Sequence, residues 1–150
     1  MEKTIAVERS IWIDAPPQKA WCAVTEVAQL DQWYATSYRW DIPSLEVGAT
    51  VKFYNRANTD DYQIATIEVV DSPRQFSIRW RPQPQYPGVS LLTTFLLAEE
   101  NAGTRVTIHE SGYESVPDGE RQQWLDATGS GYTMSMENLK AHLEGRSIPY

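Results

Sequence analysis

The chain has 150 residues, 41% hydrophobic residues and a formal net charge of −7, which suits one domain with a sizeable core. The negative charge argues against nucleic acid and against an anionic membrane surface, because both need a basic face. Cys22 is the one cysteine, so no intrachain disulfide can form. The N-terminal segment has no apolar signal core, and no apolar run is long enough to span a bilayer. We expect a single cytoplasmic domain over residues 1–150.

The first predicted element is a strand, because apolar and polar residues alternate near the N-terminus. Its apolar residues are Ile5, Val7, Ile11 and Ile13. Arg9 interrupts that apolar row. A short helix is predicted next, with Asp14 as a candidate cap and Pro16 in its first turn. A second short helix is predicted over residues 27–33.

Six further strand signals follow, separated by turn-like segments that contain Gly, Pro, Asn or Asp. They cover residues 37–42, 50–55, 62–70, 75–81, 90–97 and 104–110. Consecutive strands with such short connections predict an antiparallel meander. The proline-rich segment 81–88 favours a hairpin loop over a polyproline element that binds a partner.

The longest predicted element is an amphipathic helix over about residues 118–145. Its predicted inner face consists of Leu125, Thr128, Tyr132, Met136, Leu139 and Leu143. Gly129 and Gly131 lie on or beside that face, and each should cost about 1 kcal/mol relative to alanine. Either the two glycines are a tolerated kink, or the helix approaches a neighbour closely or leaves room for a pocket.

Together these elements predict an α+β fold. A curved antiparallel sheet of six or seven strands should embrace the long C-terminal helix. Two short helices should follow the first strand.

Several segments, in this order and spacing, resemble the START-like helix-grip (SRPBCC) superfamily. They are the strand–Ala-Pro–helix opening at residues 9–21, Thr25, Leu30, Trp33, residues 69–73, Trp80, and the turn at residues 103–106. The tail at residues 138–145 is similar to the branch related to the activator of the ninety-kilodalton heat-shock protein ATPase. The resemblance implies a cavity between the sheet and the C-terminal helix. Since the superfamily contains lipid carriers, hormone receptors, polyketide cyclases and co-chaperone domains, it does not imply one function.

Strand parity predicts which side chains face the helix. With the helix face, it gives these candidate ligand-binding residues: Phe53, Asn55, Phe76, Ile78, Trp80, Thr93, Phe95, Ile108, Glu110, Thr128, Tyr132 and Met136. The strand at residues 62–70 stays ambiguous, because both of its faces carry apolar residues. A largely apolar cleft with a few polar groups is typical of a small-molecule site. The alternative is that these rings fill a packed core.

Glu110 shares the predicted inner face with Val106 and Ile108. A carboxylate there would be desolvated, and could act as a general acid or base or as a polar anchor. Alternatively, the strand ends near Ile108 and Glu110 is solvated at its rim.

No catalytic or metal-binding motif is recognisable. His109 and His142 have no second ligand at metal spacing, and Cys22 is predicted to be a buried, inert thiol. The chain has no nucleophile elbow, phosphate loop or dinucleotide fingerprint. We therefore expect no cofactor, no metal and no catalytic residue.

The sequence thus favours a non-enzymatic protein, a monomer or homodimer, that binds a small apolar or aromatic molecule or a lipid. Two alternatives stay open. One is a polyketide cyclase- or dehydratase-like enzyme that uses Glu110, Tyr132 or Asn55. The other is a stress-response, co-chaperone-like interaction module with a chaperone as partner.

Overall fold

A seven-stranded antiparallel sheet curves around the C-terminal helix in the computed structural model, which describes residues 4–150. The strands are β1 (Ala6–Ile13), β2 (Tyr38–Asp41), β3 (Thr50–Asn55), β4 (Tyr62–Asp71), β5 (Gln75–Trp80), β6 (Leu92–Glu100) and β7 (Gly103–Ser111). The helices are α1 (Pro17–Thr25), α2 (Val27–Trp33) and α3 (Asp118–Leu143), with a 3₁₀ turn at Tyr113–Ser115. The sheet order is β1-β7-β6-β5-β4-β3-β2. The predicted α+β helix-grip fold is confirmed.

The predicted inner rows of the central strands form the core. Phe76 and Ile78 on β5, Phe95 on β6 and Ile108 on β7 are each at most 2% exposed. Antiparallel pairing of Phe76 with Phe95 and of Ile78 with Thr93 puts these side chains on one face of the sheet. Burial of large apolar side chains on that face holds the sheet against the helices.

A β-bulge explains why strand β4 was ambiguous from sequence. Ile67 pairs with Ile78 on the inner face, and the register then shifts between Ile67 and Val69. The extra residue returns Val70 to the inner face, opposite Phe76. Strict alternation cannot describe a strand that changes parity partway along its length.

The expectation that Asp14 caps the first helix is wrong. Helix α1 begins at Pro17, with Pro16 at the cap position and no side-chain capping bond. Proline suits this position because the first helical N–H groups have no partner within the helix. None of the helices in residues 4–150 is long and apolar enough to cross a membrane.

The two glycines of α3 have different surroundings. A Cβ on Gly129 would lie 2.5 Å from Nη2 of Arg9, whereas a Cβ on Gly131 would meet no atom within 4 Å. Arg9 belongs to the inward-pointing row of β1, and its Nε donates a hydrogen bond to Thr133 Oγ1 at 3.0 Å. Gly129 therefore permits close approach to β1, and Gly131 leaves open space.

We expect Gly131→Ala to raise the free energy of unfolding by about 1 kcal/mol, because alanine is the better helix former and the added methyl group meets nothing. Gly129→Ala should gain less, because the Arg9 guanidinium must move. Urea unfolding of both variants, alone and with Arg9→Ala, measures the difference. Equal gains for the two variants while Arg9 is present would contradict the close-approach role. In Arg9→Ala the two gains should become equal.

Glu144 connects the start of α1 to the end of α3. Its carboxylate accepts hydrogen bonds from the Asp14 backbone N–H at 3.0 Å and from Lys140 Nζ at 2.8 Å. Arg146 Nη2 donates to its other oxygen at 2.9 Å. The Asp14 N–H foremost, and then these two cations, lower the pKa of Glu144 to about 2.

Because this pKa is lower in the folded chain, the resulting stabilisation is present above the unfolded pKa of about 4.3 and is lost as the pH falls toward 2. We expect Glu144→Gln to make unfolding less dependent on pH in that window. Urea unfolding at pH values from 5 down to about 2 tests this. Glu46→Gln, at an exposed position, is the control and should leave the dependence unchanged.

Candidate functional site

A cavity of about 490 Å³ lies between the inner face of the sheet and helix α3. The sheet contributes Phe53, Gln63, Trp80 and Glu110, and α3 contributes Trp124, Thr128, Gly131, Tyr132, Met134, Ser135 and Asn138. The loop after α2 (residues 34–38) and the β5–β6 connection (residues 81–91) complete much of the wall. This volume falls within the range of small-molecule sites. The space opened by Gly131 is part of this cavity.

Eight aromatic side chains line the cavity. They are Tyr34, Tyr38, Phe53, Trp80, Tyr86, Trp124, Tyr132 and Tyr150. At one end, Tyr38 stacks on Phe53 with a centroid distance of 4.8 Å, and Tyr34 meets Phe53 edge-on at 5.9 Å. These contacts between rings hold the aromatic wall in place.

Glu110 is the buried polar centre of the site, with 7% of its surface exposed. Tyr113 Oη donates to Glu110 Oε1 at 2.5 Å, and Tyr132 Oη donates to Oε2 at 2.8 Å. The Thr93 hydroxyl also donates to Oε2. The alternative that the strand ends near Ile108 is wrong, because β7 continues to Ser111 and Glu110 pairs with both Val7 and Thr93.

The direction of the hydrogen bond between Thr93 and Glu110 follows from Trp80. Its Nε1–H can only donate, and it lies 2.9 Å from Thr93 Oγ1. Thr93 accepts that bond and keeps its own proton for Glu110. With Tyr113 and Tyr132, Thr93 surrounds the carboxyl group of Glu110 with three hydroxyl partners.

The neighbouring phenols stay protonated at neutral pH. Burial raises the pKa of Tyr132, of Tyr113 and of Tyr34, and the carboxylate of Glu110 adds to the rise at each of them. A phenol with a raised pKa is a hydrogen-bond donor rather than a base. The arrangement can therefore orient a polar group of a ligand beside Glu110, with tyrosine hydroxyls as fixed neighbours.

Tyr86 joins the β5–β6 connection to α3 at the cavity wall. Its hydroxyl donates to Glu120 Oε1 at 2.6 Å, and its ring meets Trp124 edge-on at 5.0 Å. The prediction that residues 81–88 belong to a hairpin loop is consistent with the antiparallel pairing of β5 and β6. Five residues of this connection line the cavity.

Eleven of the twelve predicted site residues fall into three groups. Phe53, Trp80, Glu110, Thr128 and Tyr132 lie on the cavity wall. Thr93 lies behind the wall and bonds Trp80 and Glu110. The remaining apolar residues, Phe76, Ile78, Phe95, Ile108 and Met136, are buried in the core and do not line the cavity.

Asn55 lies apart from the cavity wall. Its side chain bonds Asp61 and the backbone N–H of Ala57. Because Asn55 closes the β3–β4 turn in this way, it has no contact with Glu110. Its predicted share in binding is not supported by its position.

Sequence reasoning missed wall residues that lie in connections, such as Tyr34 and Tyr86. A loop has no alternation from which a facing direction can be predicted. Trp124 could have been predicted from the sequence, because it precedes Thr128 by one helical turn and so lies on the same helix face. Tyr113, three residues after Glu110, had no such signal.

The histidines and the cysteine lie outside this network. His109 Nδ1 is 3.1 Å from Glu8 Oε1, and His142 Nε2 is 3.1 Å from Gln29 Oε1. No group of three or more potential metal ligands occurs in the described part of the chain. Cys22 is half-buried, and a hydrogen bond to Glu26, followed by burial, raises its pKa, which disfavours a thiolate.

Comparison with protein families settles the relationship of this chain. The family model described as "Activator of Hsp90 ATPase homolog 1-like protein" (AHSA1) matches residues 14–144. The chain belongs to this family. The predicted START-like, Aha-type superfamily is thereby confirmed. Comparison with curated proteins gave no match.

Solved structures share the AHSA1 fold over nearly the whole chain. Protein MLL2253 from Mesorhizobium loti is 21% identical, with a TM-score of 0.77 and coverage of 95% of this chain and 98% of that protein. The Aha1 dimer from Colwellia psychrerythraea is 19% identical, with a TM-score of 0.73 and coverage of 93% and 96%. DynU16, from the dynemicin biosynthetic locus, is 20% identical, with a TM-score of 0.73 and coverage of 97% and 49%. These likenesses show the fold.

Thr93→Val tests the hydrogen-bond network around Glu110. The substitution keeps the shape of the side chain but leaves Trp80 Nε1 without its acceptor and Glu110 without one donor. We expect the free energy of unfolding to fall by about 2–3 kcal/mol. Thr66→Val is a matched control at an exposed position of β4 and should change stability little. Equal effects in urea unfolding would mean that the network contributes no stability.

Proposed function

We propose that this AHSA1-family protein binds a small apolar or aromatic molecule in the cavity between the sheet and α3. The observation that carries the proposal is the cavity of about 490 Å³, whose wall includes eight aromatic side chains and the buried Glu110. An apolar wall gives affinity, and a few placed polar groups orient the ligand. The role is carriage or sensing of the ligand, without turnover.

The glycine at position 131 supports this proposal. Filling that space from α3 would need only a side chain, and the helix would gain stability from any residue other than glycine or proline. The chain instead keeps a helix-destabilising residue where it opens the cavity. A packed core would have no use for this space.

A cyclase-like enzyme is the second candidate, and the contact between Glu110 and Tyr132 is the observation that favours it. A proton-transfer catalyst needs a group within hydrogen-bond reach of its substrate. Glu110 faces the cavity, so it meets that condition. Tyr132 is not a base, because its pKa is raised, and Asn55 bonds Asp61 away from Glu110. Glu110 is therefore the remaining proposed base.

The family description and the dimeric Colwellia relative raise two questions of partnership. A chaperone partner and a homodimer are both open for this chain. Sedimentation of the purified protein decides between monomer and dimer. Retention of an Hsp90-type chaperone on the immobilised protein, against a column that carries an unrelated acidic protein, tests the interaction module.

Filling the cavity from α3 tests the proposal. We expect wild-type protein to bind the neutral dye N-phenyl-1-naphthylamine with increased fluorescence. Gly131→Phe should weaken dye binding at least about tenfold, because the ring occupies the open space. Stability should hold, since nothing must move to admit the side chain.

Gly119→Phe is the matched control. It adds the same ring to the first turn of α3, where a Cβ likewise meets nothing within 4 Å, and it does not line the cavity. Its dye binding should equal that of wild type. If the wild type fails to bind dye, or if both variants bind as well as wild type, the cavity is not the site. Conversion of a bound aromatic substrate by wild type, lost in Glu110→Gln, would favour the enzyme.

A further inference from the structure

We propose that the cavity selects organic cations: ammonium compounds with an apolar, preferably aromatic, body whose charged group lies against Glu110. This inference rests on the proposed function, since it names the class of molecule that the same cavity binds. Two independent features support it. One is a buried carboxyl group that no cation among residues 4–150 contacts, and the other is the set of aromatic side chains in the wall around it.

The first feature is the missing counter-ion. No Lys, Arg or His among residues 4–150 makes an ion pair or hydrogen bond with Glu110. Its partners are three neutral hydroxyls, from Thr93, Tyr113 and Tyr132. Buried charges in proteins are as a rule paired. The three hydroxyls satisfy the carboxyl oxygens of Glu110 but bring no positive charge into the site.

Glu110 retains capacity for a ligand. A carboxylate offers about four acceptor positions, and three are occupied. Oε1 accepts only from Tyr113, and Glu110 is exposed to the cavity. Oε1 therefore has acceptor capacity left for an N–H⁺ group of a ligand.

The second feature is the chemistry of the wall. Eight aromatic side chains line the cavity. The faces of tryptophan, tyrosine and phenylalanine rings carry negative electrostatic potential and attract cations, most strongly where water is excluded. Trp80 and Tyr132 are also within the Glu110 network, so the rings and the carboxylate act on the same region. A neutral alcohol would gain from the carboxylate alone, whereas an ammonium group gains from both.

Among the described residues, the cavity wall holds one cation, whereas the chain as a whole is acidic. Arg81 is on the wall but is exposed, and no hydrogen bond or ion pair of the described residues joins it to Glu110. The chain as a whole has a net charge of −7. Its field therefore attracts a cationic ligand and repels an anionic one of the same shape.

Three indoles of similar shape and different charge test the inference by displacement of N-phenyl-1-naphthylamine at neutral pH and constant salt. Tryptamine is cationic, 3-ethylindole is neutral and indole-3-propionate is anionic. We expect tryptamine to displace the dye at concentrations at least about tenfold lower than 3-ethylindole, with indole-3-propionate weakest. Glu110→Gln should remove the preference for tryptamine, measured as the ratio of the displacing concentrations of tryptamine and 3-ethylindole in the same folded variant.

The outcomes separate the two proposals. Equal displacement by tryptamine and 3-ethylindole, or a preference for the anion, overturns the cation inference and leaves the cavity as a binding site. A tryptamine preference that persists in folded Glu110→Gln overturns the role of Glu110. If wild type binds neither dye nor indoles, the proposed function itself fails. Should Glu110→Gln not fold by circular dichroism, the wild-type order of the three indoles decides alone, because it tests charge without a substitution.

Discussion

One buried carboxylate organises this structure. Glu110 of β7 accepts hydrogen bonds from Thr93 on β6, Tyr113 in the 3₁₀ turn and Tyr132 on α3. A charge removed from water is destabilising unless donors surround it, so these elements must stay together around it. Satisfying Glu110 thus fixes the position of α3 over the sheet. The same requirement leaves a buried carboxyl group in a cavity whose wall includes eight aromatic side chains.

The cavity persists because α3 does not pack uniformly on the sheet. At Gly129 the helix approaches β1 and the Arg9 side chain closely. Two residues later, Gly131 has no side chain to fill the cavity beside it. Near its C-terminal end, Leu139 and Ala141 are fully buried. The helix therefore packs closely on β1 and near its C-terminal end. The cavity lies beside its middle, where Tyr132 bonds Glu110. Interiors normally close such voids, so an open one in this fold favours a bound molecule.

The sequence predicted the fold almost completely, because strand alternation and helical periodicity report buried faces directly. Phe76, Ile78 and Trp80 were placed on the inner face, and α2 was predicted with the observed bounds, Val27–Trp33. The site was predicted less fully. Parity says that a side chain points inward, but it cannot separate a packed residue such as Ile108 from a cavity residue such as Trp80. Residues on connections, such as Tyr34 and Tyr86, have no periodicity, and only the folded chain brings them to the wall.

The position of β1 in the sheet constrains how the chain reaches this state. Every other neighbouring pair of strands is consecutive in sequence, whereas Ala6 pairs with Ser111 and Ile13 with Thr104. Joining such distant segments carries a loop-closure entropy that hairpins avoid, and contacts of this kind slow folding. On the ribosome, β1 therefore emerges long before its partner, and α3 emerges later still. The apolar inner face of the meander stays uncovered during that interval, when chaperones protect nascent chains from aggregation.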